Sequence, residues 1–505
     1  MIRKRLFVLR MIVVLCLGFV LAFAQYPDTL WSRIHSISPA GDIDDGKCIR
    51  QTIDGGYIIT GACVPNGMVS AADVLLLKTD SLGQIQWVNS FGIEFMDEGL
   101  SVEQTFDGGY VIGGRALFIT GPNPNSDNQS DIWLIKTDSN GDTIWTQTYG
   151  GSGHDYCTWV EQTPDSGYIM AGTMNSGRSY PPTCFLEYTQ SATECAFLMK
   201  TNPIGELVWT KTYATGSYGN CARQTADGGF ILAGIRVSND QPDIYLVRTD
   251  SVGDTIWTKT IGTVDSLEFS KTIQILSDGY VIGGHIGPMP LAGVDGFVVR
   301  TDLSGNVLWT NSYGDSLSDV INAIEVASDG SLFLFGNTNC MFHIHNGNMW
   351  IFGTDAYGTL LWERTYDFAL NDYCWSCTKT SDGCYAVSGL LGYMLGGDLW
   401  LAKIGMEPGV TESSQPQVGY RMVTNTPNPF SNTTKISYVV SQSGFLSIEV
   451  YDVLGRKIQT LVSRSQEPGE YSVHFDATNI PGGVYFCKLR VGDGVVATHK
   501  MLLLR

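Results

Sequence analysis

The chain has 505 residues, about three times the length of an ordinary single domain, so more than one domain is expected. Glycine (58 residues) and aromatic residues (11%) are abundant while charged residues are scarce (16%), which favours an all-β protein over a coiled coil or a disordered chain. The net charge of −19 argues against a nucleic-acid partner, because an acidic surface repels phosphates.

Residues 1–24 have the pattern of an export signal. Basic residues precede the apolar stretch 11–23, and Ala22-Phe23-Ala24 fits a cleavage site, so the mature chain is expected to begin at Gln25. The apolar stretch is too short for a membrane anchor, and the mature chain is expected to have no transmembrane segment. Without Cys16, 11 of the 12 cysteines remain, an odd number in an oxidising compartment.

A unit of about 55 residues then repeats seven times. Each unit contains a polar strand, a turn with an Asp, an apolar strand, a loop, a strand of the type Asp-x-x-Leu-x-Lys-Thr-Asp, and a strand with a Trp. The turn Asp falls at Asp54, Asp107, Asp165, Asp227, Asp278, Asp329 and Asp382. The Trp falls at Trp87, Trp145, Trp209, Trp257, Trp309 and Trp362, and its seventh copy is Trp31, near the N-terminus.

The position of Trp31 predicts how the repeat closes. The last unit lacks its fourth strand, and the N-terminal strand supplies one, which is how a β-propeller removes an open edge. We therefore predict an all-β fold in which residues 25–405 form a seven-bladed β-propeller with four-stranded blades, closed by the N-terminal strand.

The units resemble the repeats of quinoprotein-type propellers, in which an apolar run, an Asp, a Gly and a Trp follow in the same order. Here these are residues 134–138, Gly141 and Trp145. The quinone-binding members have eight blades and an adjacent pair of cysteines in the site. This chain has seven units and no adjacent cysteines, so we expect no quinone and no other cofactor.

The C-terminal part differs in character. Residues 406–424 have the composition of a linker, and residues 425–505 alternate apolar and polar residues over several short strands, which predicts a small Ig-like β-sandwich. This stretch resembles the type A C-terminal sorting domain of proteins exported by the type IX secretion system. The matching segments are residues 427–430 (PNPF), 451–456 (YDVLGR), 468–471 (PGEY), 482–486 (GGVYF) and 500–503 (KMLL).

That resemblance implies handling by the type IX secretion machinery through residues 425–505. It also implies a location outside a Gram-negative bacterium, either secreted or attached to the outer cell surface. The alternative for residues 425–505 is a fixed structural sandwich or a carbohydrate-binding module.

Loops between the second and third strands vary most in length, and they are expected on one face of the propeller. Variation confined to one face of a repeat protein marks a binding face. Aromatic side chains there are candidates for contact with a glycan or a surface protein. The candidates are Phe118, Tyr180, Phe185, Tyr188, Phe342 and Tyr393.

Cysteines and histidines suggest other local features. Cys184 and Cys195 bracket the longest loop and are predicted to form a disulfide, and Cys48 and Cys63 form a second candidate pair on consecutive strands. Cys340, His343 and His345 are a weak candidate for a metal site, and the prediction is that no metal binds. The segment 138–142 resembles the start of a calcium loop but lacks its distal Glu.

The chain shows no recognisable catalytic motif, so no catalytic residue is predicted. The interpretation is a secreted or surface-attached, non-catalytic propeller that binds glycan or protein through the variable loops. Two alternatives remain: a glycan hydrolase or lyase with a site at the central channel, and a structural envelope component. Two carboxylates, or basic residues with a His, at the channel mouth would favour the enzyme.

Overall fold

The structure is a computed structural model. It describes residues 28–38, 44–64, 72–93, 96–119, 128–151, 153–176, 194–238, 241–288, 293–315, 317–341, 344–366, 372–392, 397–405, 420–426, 430–440, 443–452, 456–491 and 494–503. These residues are β-strands and their connections, with no helix among them. Accordingly, no helix of the described residues is long and apolar enough to cross a membrane.

The strands, in chain order, are β1 (Asp28–His35), β2 (Asp45–Gln51), β3 (Tyr57–Cys63), β4 (Asp73–Thr79), β5 (Ile85–Phe91), β6 (Glu98–Gln104), β7 (Tyr110–Ile119), β8 (Asn128–Thr137), β9 (Thr143–Tyr149), β10 (His154–Gln162), β11 (Tyr168–Ser176), β12 (Cys195–Thr201), β13 (Leu207–Thr215), β14 (Ser217–Gln224), β15 (Phe230–Ser238), β16 (Gln241–Thr249), β17 (Thr255–Ile261), β18 (Ser266–Leu276), β19 (Gly279–Pro288), β20 (Asp295–Asp302), β21 (Val307–Tyr313), β22 (Val320–Val326), β23 (Leu332–Met341), β24 (Ile344–Thr354), β25 (Leu360–Tyr366), β26 (Tyr373–Lys379), β27 (Tyr385–Leu391), β28 (Asp398–Gly405), β29 (Tyr420–Thr426), β30 (Thr433–Val440), β31 (Gly444–Asp452), β32 (Lys457–Gln466), β33 (Gly469–Asp476), β34 (Gly483–Val491) and β35 (Gly494–Leu503).

The chain divides into two compact units, Met1–Gly405 and Met406–Arg505. In the first unit, consecutive antiparallel strands form sheets 1 (β2–β5), 2 (β6–β9), 3 (β10–β13), 4 (β14–β17), 5 (β18–β21) and 6 (β22–β25). Sheet 7 contains β26, β27, β28 and β1. A single parallel bridge between Ser130 and His154 joins sheets 2 and 3. The first strands of the sheets contact one another in a closed ring, which gives the unit a β-propeller fold.

The first strand of the chain closes this ring. β1 pairs antiparallel with β28, from Asp28 opposite Gly405 to His35 opposite Leu399. The sequence offset of Trp31 predicted this pairing. β28 therefore pairs with a strand from the opposite end of the propeller unit. Because of this pairing, the backbone N–H and C=O groups of β28 do not form an open sheet edge.

The turn between the first and second strands has an Asp in every sheet, and in sheets 1, 2 and 4 the Asp is followed by two glycines. In sheet 1, Asp54 Oδ1 accepts hydrogen bonds from the Thr52 hydroxyl and the Gly56 amide. Gly55 has a φ of 82°, which favours glycine. A Cβ at Gly56 would lie 2.5 Å from Lys78 Nζ, so the second glycine leaves room for that side chain.

The same Asp forms an ion pair with the third strand. Lys78 Nζ lies 2.9 Å from Asp54 Oδ2, and the lysine side chain is only 4% exposed. In sheet 6, Gly353 stands at the position of the lysine, and the Trp362 indole lies against it. Five further sheets repeat the pair, as Asp107–Lys136, Asp165–Lys200, Asp227–Arg248, Asp278–Arg300 and Asp382–Lys403.

In every sheet except sheet 6, the Trp of the fourth strand packs against the next sheet. Trp257 of sheet 4 has its ring centroid 6.2 Å from that of Tyr280 in sheet 5, and a Cβ at Gly305 would lie 2.8 Å from its indole. The glycine therefore provides the flat surface on which the indole rests. The equivalent pairs are Trp31–Gly83, Trp87–Gly141, Trp145–Gly205, Trp209–Gly253 and Trp309–Gly358.

The second unit has two sheets that share one hydrophobic core. One sheet has the order β29-β30-β33 and the other β32-β31-β34-β35. Alternate residues face inwards, and the buried Tyr438 hydroxyl donates to Gln466 Oε1 at 3.0 Å. The period-two pattern of the sequence therefore corresponds to strands with one buried face.

Candidate functional site

The first strand of every sheet carries a β-bulge at the same place. One residue of that strand has no partner on the second strand, and the strand pairing resumes on either side of it. Bulges of this kind redirect a side chain and are common beside functional sites. We call these residues the bulge ring; they are Lys47, Leu100, Thr158, Asn220, Lys271, Asn322 and Trp375.

Three members of the bulge ring tie neighbouring sheets together. Thr158 Oγ1 donates to the carbonyl of Gly219 at 3.1 Å, and Asn220 Nδ2 donates to a carbonyl of sheet 5 at 2.6 Å. Asn322 Nδ2 donates to the carbonyl of Cys374 at 2.8 Å. These side chains satisfy carbonyls beside the next bulge, so this part of the ring serves the scaffold.

The bulge ring is different where sheets 7 and 1 meet. Lys47 Nζ lies 3.9 Å from the centroid of the Trp375 ring, a cation–π contact, and 2.6 Å from Asp45. Trp375 also stacks on Tyr373, with centroids 5.1 Å apart. The indole is therefore held by contacts within the protein.

A cavity of about 350 Å³ runs along the inner strands, lined by the bulge ring and by a second level of polar side chains. We call this second level the charged ring. It contains three carboxylates and two guanidinium groups, and among the described residues none of these carboxylates lies within 4.0 Å of a basic nitrogen. Its members are Arg50, Glu103, Glu161, Arg223, Gln274, Glu325 and Thr378.

Burial dominates the electrostatics of the charged ring. It raises the pKa of Glu103 to about 7, and the nearby Glu161 raises this pKa further. Two effects oppose this increase: the Gln162 amide donates to Glu103 Oε2 at 2.6 Å, and the arginines of the ring attract the ionised carboxylate. Burial also raises the pKa of Glu161 and of Glu325, and Glu161 Oε2 has no hydrogen-bond partner among the described residues. Part of the ring is therefore protonated near neutral pH.

The cavity is lined by carboxylates, guanidinium groups, lysine amines, thiols and hydroxyls, and no histidine is among its described lining residues. Across the described ranges, no group of three or more His, Cys, Asp or Glu residues is placed to hold a metal ion. The segment 138–142 is a hairpin in which Asp138 Oδ1 accepts the amides of Asn140 and Asp142.

The structure describes only one of the six aromatic candidates for the binding face. Phe118 lies near the end of β7 and is partly buried against the core of sheets 1 and 2. Its ring therefore has less surface free for a ligand than the sequence suggested. The other five candidates lie outside the described residues, namely Tyr180, Phe185, Tyr188, Phe342 and Tyr393.

The two predicted disulfides differ in outcome. Cys48 lies opposite Thr60 and Cys63 lies opposite Asp73, so the strand register does not bring the two sulfurs together, and both are buried thiols. The prediction of a Cys48–Cys63 disulfide is wrong in this structure. Cys184 lies outside the described residues, so its pairing with Cys195 stays a prediction.

The metal candidates also remain predictions. His343 lies outside the described residues. Cys340 and His345 are opposite each other in the β23–β24 pair, and nothing is described of their side chains.

Sequence reasoning missed both rings of the channel. The only available signal was positional. The residue three places before Arg50, Glu103 and Glu161 varies among the units, while the surrounding pattern repeats. A bulge has no sequence motif of its own, so the residues that enter the channel were not recognisable.

Comparison with known proteins identifies the C-terminal segment. Residues 426–503 match the secretion system C-terminal sorting domain. The chain is therefore a cargo of the type IX secretion system, with a β-propeller fold in its first unit. It is secreted or attached to the cell surface, as type IX cargo of Bacteroidetes is, and residues 426–503 are the part that the export machinery handles.

A curated relative matches a limited part of the chain. Regulatory protein FlaEY of Caulobacter vibrioides is 26% identical over 145 residues. The match covers 26% of this chain and 15% of that protein. The chain thus spans about a sixth of the length of the relative it matches.

Solved structures with some likeness to the chain have low scores. The WD40 domain of Pan2 from Neurospora crassa has a TM-score of 0.44 and 10% identity, covering 75% of this chain and 95% of that one. A fungal alcohol oxidase of the AA5 family has a TM-score of 0.44 and 9% identity, covering 95% and 99%. The β-propeller domain of the Trilobed protease from Pyrococcus furiosus has a TM-score of 0.36 and 9% identity, covering 74% and 94%. No activity or partner is carried over from them.

Proposed function

We propose that the mature protein is a non-catalytic, ligand-binding β-propeller delivered to the cell exterior, with glycan or protein as its ligand. In this proposal residues 1–24 are a signal peptide, residues 25–405 a seven-bladed propeller and residues 425–505 an Ig-like sorting sandwich. Seven four-stranded sheets in a closed ring support the blade count. Two sheets around one core support the sandwich.

The observation that supports the binding role is that the repeated residues all have structural contacts. The recurrent Asp, Lys and Trp are occupied by hairpins, ion pairs and contacts between sheets, so they are not available for chemistry. The units differ most in the loops between their second and third strands, which lie at one end of the sheets. A uniform scaffold with variation confined to one end is the arrangement of a binding surface.

The test is retention of bacterial and plant polysaccharides by the purified mature protein on an array, with the retained glycans recovered and sized. Retention of one glycan class at its original size is the expected result. A Tyr188→Ala variant is expected to weaken retention at least tenfold, whereas Phe106→Ala is expected to leave it unchanged. Phe106 is the matched control because it is 71% exposed on a hairpin at the opposite end of the sheets.

Failure of that experiment has two distinct forms. Shortened glycans would replace the binding role by catalysis. No retention of any glycan, together with no protein captured from the cell surface, would favour a structural role.

One observation favours the enzymatic alternative, a glycan hydrolase or lyase acting in the channel. Glu103, with its pKa raised to about 7 chiefly by burial, has the protonation behaviour of a general acid, and Glu161 is a second carboxylate in the same cavity. Under this alternative, Glu103→Gln abolishes glycan shortening and leaves glycan retention intact. Equal shortening by the wild type and the variant would exclude Glu103 as the acid.

A further inference from the structure

Pairs of carboxylates approach each other where neighbouring sheets meet, at the end of the sheets that carries the variable loops. In the first such pair, Asp131 belongs to β8 of sheet 2 and Asp155 to β10 of sheet 3. A Cβ at Gly150 would lie 2.2 Å from Asp131 Oδ1 and 2.7 Å from Asp155 Oδ2. The two oxygens therefore lie no more than about 5 Å apart, across a residue that has no side chain.

The hydrogen bonds around this pair are incomplete. Asp155 is 2% exposed, and its two oxygens accept the amides of Gly151 at 2.9 Å and Asn175 at 2.6 Å. Asp131 Oδ1 is buried and has no partner among the described residues. Over the same residues, no lysine or arginine forms an ion pair with either carboxylate. The nearby His154 forms no ion pair with a described carboxylate, and its Nδ1 lies 3.3 Å from the Ser130 hydroxyl.

A second pair of carboxylates lies between sheets 4 and 5, beside the consecutive residues Gly262 and Thr263. Asp243 belongs to β16 and Glu268 to β18, and a Cβ at Gly262 would lie 2.0 Å from Asp243 Oδ1. Glu268 is 1% exposed; its Oε1 accepts hydrogen bonds from Ser266 and Thr263. Its Oε2 and Asp243 Oδ1 are both buried without a partner in the described part of the chain.

Two negative charges that are buried together without a cation are unfavourable. Asp155 and Glu268 are almost completely buried, and Asp131 Oδ1, Asp243 Oδ1 and Glu268 Oε2 are buried without a hydrogen-bond partner among the described residues. Each pair must therefore take up a proton or a cation in the folded protein. The amides that donate to both oxygens of Asp155 stabilise its ionised form, which favours a cation over a shared proton.

We propose that the carboxylate pairs Asp131–Asp155 and Asp243–Glu268 each bind a calcium ion that links neighbouring sheets. Ligands that are oxygen atoms only, from carboxylates and from the backbone, are those that Ca²⁺ prefers. With two carboxylates per site, the remaining ligands are backbone carbonyls and water. Sites of this composition in extracellular modules bind Ca²⁺ at roughly 0.1–1 mM, a concentration present outside cells.

The repeat itself contains natural comparisons. Cys195 and Asn348 occupy the third-strand position of Asp131 and Asp243 in sheets 3 and 6. The junctions that follow those sheets therefore lack the second carboxylate, and they are expected to bind no ion.

The experiment uses the purified full-length mature protein after treatment with EDTA. Calcium is titrated at pH 7.5 by isothermal calorimetry, and thermal unfolding is recorded with EDTA or with 5 mM CaCl₂, about five times the weakest expected dissociation constant. The expected result is uptake of at least two ions per chain and a rise in unfolding temperature on the order of 5 °C.

Variants assign the ions to the pairs. Asp131→Asn and Asp243→Asn are each expected to bind one ion fewer than the wild type, with the fold checked by circular dichroism. Asp142→Asn is the control, because Asp142 is exposed in the calcium-loop-like hairpin, and it is expected to bind as many ions as the wild type.

Three outcomes would overturn the proposal. The first is that calcium titration of the wild type up to 10 mM gives neither heat nor a change in unfolding temperature, while the protein is more stable at pH 5 than at pH 8. This combination would show that the pairs share protons. The second is loss of ions in Asp142→Asn alone, which would place calcium in the hairpin. The third is binding of the wild-type number of ions by Asp243→Asn. This variant and the wild-type titration therefore decide the question even if Asp131→Asn does not fold. Glycan retention is not a readout here, so failure of this proposal is separate from failure of the proposed function.

Discussion

Replacing Trp209 with Ala tests whether the contacts between sheets stabilise the propeller. The Trp209 ring lies 6.1 Å from that of Phe230 in the next sheet, edge to face, and rests on Gly253. Loss of an aromatic pair costs about 1 kcal/mol, and the cavity left by a partly exposed indole brings the total to about 3 kcal/mol. The unfolding temperature of the propeller is then expected to fall by on the order of 5 °C.

The assay is thermal and urea unfolding of the full-length chain, followed by circular dichroism because the substitution removes a fluorophore. Val208→Ala is the matched control, since Val208 precedes Trp209 in β13 and is 59% exposed. It is expected to change the free energy of unfolding by less than about 0.5 kcal/mol. Equal losses in the two variants would refute the reasoning, because strand propensity and not the contact between sheets would then explain them.

Three further predictions concern single residues. Gly109→Ala is expected to lower the free energy of unfolding by more than about 2 kcal/mol, because the new Cβ would lie 2.2 Å from a backbone carbonyl oxygen. Gly108→Asn is expected to lower it by less, because nothing lies within 4 Å of a Cβ at that position. Burial raises the pKa of Asp54, but hydrogen bonds from the Thr52 hydroxyl and from Lys78 outweigh it and lower the pKa to about 2. The contribution of Asp54 to stability is therefore present above a pH of about 4 and is lost as the pH falls through 2. Asp54→Asn should therefore flatten the stability profile between pH 2 and pH 4, and an unchanged profile would contradict this. Burial raises the pKa of the Cys157 thiol to about 12, so it should react with Ellman's reagent at pH 8 only after unfolding; labelling of Cys157 in the native protein, located by mass spectrometry, would contradict its burial.

Much of the architecture was readable from the sequence because it depends on local rules. The Asp-Gly-Gly turn needs a side-chain oxygen and a glycine with positive φ at adjacent positions, and residues 54–56 provide both. The shift of Trp31 relative to its unit predicted the pairing of β1 with β28, because closure of a repeat leaves a visible offset. The sorting domain was recognisable because its motifs are dense and run to the end of the chain.

Other features were decided by the tertiary structure alone. The prediction of a Cys48–Cys63 disulfide failed because a bulge and the strand register separate the two residues, and neither is visible in the sequence. The bulge ring, the charged ring and the carboxylate pairs each combine residues from different sheets. Nothing in the sequence distinguishes Asp131 and Asp155 from the many other acidic residues. They approach each other because of the way two sheets meet around Gly150. Sequence patterns predict local features, namely the turns of a strand and which of its faces is buried. A site between sheets depends on distances between residues of different sheets, and these are determined only by tertiary packing.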